Sequence, residues 1–277
     1  MKFVSFTMND GYEISARYWQ NTSEDGVLYI HGIQSHGLWF ETSASLLADA
    51  GFSVFLPDRR GSGLNKQLRG DVSHFSRWIY DLQELIAQMR SKYGMKRIHI
   101  LAVSWGGKLA LSLAGLLPEQ ISSMSLVAPG IFPKVDVALS DKIAVAGALL
   151  SNPKKKFPIP LDDPKLFTDN PQRQKFIMCD ALKLTDVSAR FLYQSRKLDA
   201  FIRRRIFHLQ FPMKLFLAGR DRIIDNCETI KFYRGIRTMR AKTLVFYPSA
   251  AHTLEFEDDN TKFLNDLRDW MLLCTNV

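Results

Sequence analysis

Six short apolar runs recur along the chain, none showing the strict apolar–polar alternation of a half-exposed strand. They are GVLYIHG (26–32), FSVFLPD (52–58), RIHILAV (97–103), SMSLVAP (123–129), MKLFLAG (213–219) and KTLVFYP (242–248). Continuous runs of this length, bounded by turn residues, predict strands buried on both faces of a parallel sheet. Between several of them the spacing changes to three and four, as in RWIYDLQELIAQMRSKYG (77–94) and NTKFLNDLRDWMLLC (260–274), which predicts amphipathic helices. Strand, helix, strand, repeated, predicts an α/β fold with a mostly parallel, doubly wound sheet. The opening KFVSFTMNDGYEISARYW predicts an antiparallel hairpin turning at Asn9-Asp10-Gly11, adding an edge to that sheet.

The rhythm breaks between Gly130 and Phe207. Six prolines (Pro133, Pro153, Pro158, Pro160, Pro164 and Pro171) punctuate the segment, which then reads as helical through QRQKFIMCDALKLTDVSARFLYQSRKLDAFIRRRI, with no convincing buried strand. The expected organisation is therefore a core in two parts, 1–129 and 208–277, interrupted by a helical lid at 130–207. A chain of 277 residues suits one such domain with an insertion.

Composition narrows the classes. With 46% apolar and 23% charged residues, disordered and fibrous proteins drop out. No apolar run reaches the roughly 18–20 residues needed to span a bilayer, and the N-terminus lacks a signal peptide's apolar stretch. Cys179, Cys227 and Cys274 lie far apart without metal-ligand spacing and read as reduced thiols of a cytoplasmic protein. The net charge of +9 has a location: residues 130–207 hold fifteen Lys and Arg against eight Asp, which places +7 there. Lys154–Lys156 and Arg203–Arg205 are the densest runs. They read either as a solvated surface or as an attraction to anionic lipid or anionic substrates, giving peripheral membrane contact through a basic lid. No motif for nucleic acid accompanies them.

The candidate chemistry begins at LAVSWGGKLA (101–110), where a buried run passes directly into Ser104-Trp105-Gly106-Gly107 and then a helical pattern. A nucleophile on a sharp strand-to-helix turn needs small flanking residues where helix and strand crowd, and the helix N-terminus offers free N–H groups to developing negative charge. The position two before the serine is Ala102 rather than glycine, but only a small side chain is required there. A serine that merely caps the helix is the competing reading at this point. YIHGIQSHG (29–37) is a strand ending in His-Gly, where the Ile33 N–H is a candidate oxyanion donor alongside the Trp105 N–H. His31 and His36 lack partners at metal-ligand spacing, so no metal is expected. LFLAGRDRIID (215–225) places Asp221 soon after a strand, where it could orient a histidine, with Asp225 in reserve. LVFYPSAAHTLEFE (244–257) places His252 after the last strand, whereas His74 and His208 lie away from strand ends and His99 lies inside one.

The order Ser104, Asp221, His252, each after a buried run, is that of the α/β-hydrolase arrangement. The conjunction favours the nucleophile over the cap. Over nearly its whole length the chain resembles the α/β-hydrolase superfamily, and within it the monoacylglycerol lipase and lysophospholipase branch. The residues that carry this are HGIQSHGLWF (31–40), PDRRGSGLN (57–65), AVSWGGKLA (102–110), GRDRIID (219–225) and SAAHTLEFE (249–257). Ala102, Ser35 and Asn65 depart from that branch's usual glycine, glutamate and serine.

The resemblance implies a cofactor-free serine ester hydrolase with Ser104, Asp221 and His252 as triad and Ile33 and Trp105 as oxyanion donors. The substrate would be a small-molecule or lipid ester. Asp58–Gly63 is expected to brace the site. His36, Phe132 and Phe191 are candidate substrate contacts. Phe132 and Phe191, with Leu149, Leu150, Phe157, Phe167, Leu192 and Tyr193, line either an acyl tunnel or the lid's own small core. Cleavage of an amide, peptide or C–C bond on the same fold is the alternative, and a non-catalytic binding protein the more distant one.

Overall fold

The computed structural model describes residues 1–205 and 208–275. Along the chain run β1 (Lys2–Thr7), β2 (Glu13–Trp19), β3 (Asp25–Ile30), α1 (Glu41–Asp49), β4 (Ser53–Pro57), α2 (Phe75–Tyr93), β5 (Arg97–Val103), α3 (Gly106–Leu116), β6 (Ser123–Val127) and α4 (Leu139–Ser151). There follow β7 (Lys156–Pro158), α5 (Pro171–Cys179), β8 (Asp186–Ser188), α6 (Ala189–Arg205), β9 (His208–Leu209), β10 (Met213–Ala218), α7 (Asn226–Gly235), β11 (Arg237–Thr238), β12 (Lys242–Tyr247) and α8 (Thr261–Cys274).

Eight strands form one sheet in the order β1-β2-β4-β3-β5-β6-β10-β12. The N-terminal hairpin pairs antiparallel, as does β2 with β4, and every other pairing in this sheet is parallel. The turn falls at Asn9-Asp10-Gly11, with Gly11 at φ +77°. Every residue of β3, β4 and β6 is buried, so their unbroken apolar runs follow from helices on both faces. The run at 242–248 departs from this expectation. It forms the outermost strand, β12, where Leu244 and Phe246 stay exposed because nothing among the described residues covers their face at the sheet edge.

Helix ends follow their local chemistry. His74 caps α2 by accepting from the Ser76 N–H, and Gly94 ends it in the left-handed region at φ +73°. The crowding of α3 on the sheet requires its two leading glycines. A Cβ on Gly106 would sit 2.5 Å from the Ile30 carbonyl oxygen, and one on Gly107 would sit 2.6 Å from Pro129 Cβ.

The chain leaves the sheet after β6 and returns at β10, and α4, β7, α5, β8 and α6 fill the interval. Two of these bear on the expectation of no buried strand, each being three residues long and only partly buried. β7 and β8 pair antiparallel, with buried Phe157 opposite buried Val187. Three residues each, beside Pro158 and Pro160, are too few to show a period. The segment is fastened to loops at the carboxyl edge of the sheet. Asp180 takes hydrogen bonds from Trp39 Nε1 and lies 2.9 Å from His36 Nε2, Arg190 pairs with Asp71, and Leu184 N–H donates to the Gln34 carbonyl. Its expected boundary at Phe207 lies outside the described residues, as does the side chain of Arg205.

Candidate active site

Four parallel strands deliver the candidate residues to one edge of the sheet. Ile33 follows β3, Ser104 follows β5, Asp221 follows β10 and His252 follows β12, all at carboxyl ends, where open α/β sheets gather their ligands. Ser104 sits in the tight turn between β5 and α3 at φ +52°, a conformation that costs a side-chain-bearing residue about 1–2 kcal/mol. The turn is held on all sides. Ser104 N–H donates to the Val127 carbonyl, and its own carbonyl accepts from Gly107 and Gly130. Ala102 is completely buried in β5, so its methyl group is accommodated where the usual pattern has glycine.

Ser104 Oγ lies 2.9 Å from His252 Nε2, and His252 Nδ1 lies 2.7 Å from Asp221 Oδ2. Asp221 Oδ1 accepts from the Ile223 and Ile224 N–H groups at 2.8 and 2.9 Å. Burial opposes ionisation of Asp221, but His252 and these two backbone donors outweigh it and hold the carboxyl below its ordinary range. Asp225 has a different job: it caps α7 through the Glu228 N–H. His252 is set by its neighbours, with Thr253 N–H on the Phe167 carbonyl and Ala251 N–H on Glu257.

Ile33 and Trp105 line the cavity beside Ser104, and the backbone N–H of neither donates to another group among the described residues. Arg59 touches both residues. Its guanidinium donates to the Ile33 carbonyl at 2.9 Å and lies over the Trp105 ring at 4.7 Å. Burial pulls the Arg59 pKa down to about 9, only partly offset by Asp58. His31, one of the two histidines weighed as ligands, instead spends both ring nitrogens on backbone, accepting from Arg59 N–H and bonding the Gly32 carbonyl. The departures at 35 and 65 are likewise built in. Ser35 Oγ accepts from Gly32 N–H, and Asn65 bridges the Asp58 carbonyl and the Ser15 N–H. Asp58 takes the Gly37 and Leu64 N–H groups, tying the loop after β4 to the loop after β3.

A cavity of about 350 Å³ opens beside Ser104. Ile33, Trp105, Ile223 and Ile224 wall it on the sheet side, and Val145, Leu149, Phe191, Leu192 and Tyr193 from α4 and α6 on the other. Asp136 stands at its rim, paired with Lys142 and Arg196 at 2.7 and 2.9 Å. Of the candidate substrate contacts, Phe191 lines this cavity. Two do not. His36 is fully buried against Asp180, and Phe132 packs on Phe232 under the Arg203 guanidinium, because each is drawn to a partner away from Ser104. Phe167 packs edge-on to His252, Phe157 joins a small cluster with Ala148 and Ala189, and Leu150 points outward. Among the polar cavity residues that the sequence did not single out are Lys108, Ser195 and Asp199. Lys108 lies on the first turn of α3, close in sequence to Ser104 in the turn before it.

A serine on a strained turn after a central parallel strand, with aspartate and histidine following later strands, defines the molecule as an α/β-hydrolase. The chain belongs to the serine aminopeptidase S33 family, whose profile matches residues 22–259. It is similar to the monoglyceride lipase of Mus musculus, 24% identical over 267 residues that cover 95% of this chain and 88% of that one. Phospholipase YtpA of Bacillus subtilis is 24% identical over 219 residues, covering 76% of this chain and 81% of the relative. Among solved structures, the monoacylglycerol lipase of Paleococcus ferrophilus superposes with a TM-score of 0.85 at 18% identity, covering 94% of this chain and 99% of that one.

Proposed function

We propose that this protein hydrolyses carboxylic esters of lipids, of the monoacylglycerol or lysophospholipid type, through an acyl-enzyme on Ser104. The observation that carries the reading is the hydrogen-bonded series Ser104–His252–Asp221 opening onto an apolar cavity. His252 Nε2 takes the Ser104 proton as Oγ attacks the acyl carbonyl, while Asp221 holds the ring and balances its positive charge. The N–H groups of Ile33 and Trp105 receive the oxyanion; a single such donor is worth roughly 100- to 1000-fold in rate. His252 then returns the proton to the leaving alcohol and activates the water that frees the acid. The lipid class is supported by the names of the relatives and by the apolar walls of the cavity.

Residues 130–207 act as a cap in this reading, since α4 and α6 form the wall facing Ser104. The cap is also the proposed membrane-facing surface. Leu139, Ile143 and Leu150 form an exposed stripe on α4, with Lys154 and Lys155 exposed just beyond its end. Lys156 and Arg203 contribute less than the sequence suggested, one donating to the Arg69 carbonyl and the other lying over Phe132.

The test is labelling with a fluorophosphonate probe together with hydrolysis of esters of increasing acyl length. Wild type labels and Ser104→Ala does not, and the substitution lowers ester turnover by at least about a thousandfold. An unlabelled wild type, or a variant that hydrolyses as fast, rejects the proposal. A preference for the shortest acyl chains rejects its lipid part.

A further inference from the structure

The wall of the Ser104 cavity is apolar over most of its extent and carries a buried ion pair at one place. Lys108, on α3, is 5% exposed and Asp199, on α6, is 9% exposed. Lys108 Nζ lies 2.7 Å from Asp199 Oδ1, and both side chains face the cavity. The contact leaves much unsatisfied. Asp199 Oδ1 receives no hydrogen bond of acceptable angle, and the ammonium, with three N–H donors, has no other partner among the described residues. Ser195, one turn before Asp199, adds a hydroxyl that accepts from Trp105 Nε1 and keeps its own proton free to donate.

Buried polar groups are normally paired, and an ion pair in an apolar wall costs more in desolvation than it returns unless further hydrogen bonds complete it. The pair joins α3 to α6 and makes no hydrogen bond to Ser104, His252 or Asp221 among the described residues, so the triad does not account for it. Burial also lowers the Lys108 pKa, with Asp199 opposing, so the ammonium is held against its solvation by a single carboxylate. The missing partners must come from the cavity itself.

The chemistry of the missing partner follows from the pair. An anion near Lys108 would also face Asp199, and a cation near Asp199 would face Lys108. A neutral hydroxyl satisfies both, accepting from the ammonium and donating to the carboxylate. Position follows from the cavity. Lys108 stands on the first turn of α3, which begins at Gly106 just after Ser104, and both residues line the same cavity of about 350 Å³, so the group it binds shares that space with an acyl carbonyl held at Ser104.

We propose that Lys108 and Asp199, assisted by Ser195, form a hydroxyl-binding subsite, and that the substrate carries a free, uncharged hydroxyl close to its scissile ester. The inference rests on the ester-hydrolase reading above and narrows it. The hydroxyl belongs either to the alcohol, as in a partial polyol ester, or to the acyl chain, as in a 3-hydroxy acid.

The test measures binding in the Ser104→Ala protein, so that its outcome is independent of turnover. The ligands are 1-monodecanoylglycerol, propyl 3-hydroxydecanoate and propyl decanoate. One of the two hydroxylated esters binds about tenfold or more tightly than propyl decanoate, and its identity says which side of the ester carries the hydroxyl. The preference disappears when Lys108→Met and Asp199→Leu are added together. Replacing both partners avoids stranding a buried charge, and Lys108→Leu with Asp199→Ala serves if the first pair does not fold. Equal binding of all three esters, or a preference that survives the paired substitutions, overturns the proposal. Turnover of propyl decanoate by the wild type reports separately on the ester-hydrolase reading.

Discussion

Asp221 and Asp225 lie on one short loop after β10, yet one carboxylate bonds a histidine ring and the other a helix N-terminus. Their substitutions therefore diverge. Asp221→Asn preserves shape but removes the charge opposite His252, and kcat for ester hydrolysis falls about a thousand- to ten-thousandfold with KM little changed. Asp225→Asn keeps a capping side chain, leaves kcat within about twofold and costs stability by less than about 1 kcal/mol. Steady-state kinetics on the two purified variants decides; equal losses would remove Asp221 from its assigned role. Sequence alone gave Asp221 first place because it stands nearer the strand end, whereas the capping role of Asp225 depends on where α7 begins. Residues whose position depends on long-range partners were harder to read. His36 pairs with Asp180, a contact spanning 144 positions, and no local pattern points to it. Lys108 follows Ser104 closely in sequence, but its partner Asp199 lies on α6, and only the packing of α6 on α3 brings the two together.

At the scale of elements, the loop carrying His252 is propped from beneath by a buried acid. Glu255 accepts from Ser43 N–H at 2.9 Å and also bonds the Ser43 hydroxyl, joining this loop to α1. Burial raises its pKa to about 7, with the Ser43 contacts opposing. The folded state thus holds this proton more tightly than the unfolded chain does. The stabilisation is complete below the unfolded value near 4.5 and is lost as pH rises through 7. Two to three pKa units correspond to about 3 kcal/mol. Denaturant unfolding of wild type and Glu255→Gln checks this: the stability of wild type relative to the variant falls between pH 5 and pH 8. A constant difference across that range contradicts the assignment. The central strands were legible as continuous apolar runs bounded by turn residues, and the long helices because each covers several periods of its pattern. β7 and β8 were not, since three residues show no period, and β12 was misjudged because an edge strand and a central one share the same apolar run.

For the molecule as a whole, charge and exposed apolar area concentrate on the same face, the proposed cap. Leu139→Ser, Ile143→Ser and Leu150→Ser together remove apolar groups that would each contribute up to about 1.5–3 kcal/mol on full burial in lipid. Sedimentation with phosphatidylglycerol vesicles is expected to weaken at least tenfold for this triple variant. Lys154→Ala with Lys155→Ala weakens it only at low salt, where exposed charges are poorly screened. Unchanged binding by both variants rejects the membrane-facing cap. The point where the chain leaves the sheet was visible in sequence as a loss of rhythm after β6, but how the intervening helices are seated on the core was not.

That seating has an optical consequence. The Trp105 indole donates to Ser195 on α6, stacks on Phe191 of the same helix and carries the Arg59 guanidinium on its face, while its backbone flanks Ser104. Any displacement of α6 alters the polarity and quenching around that ring, so the protein holds an intrinsic fluorophore that reads the position of this helix from beside Ser104.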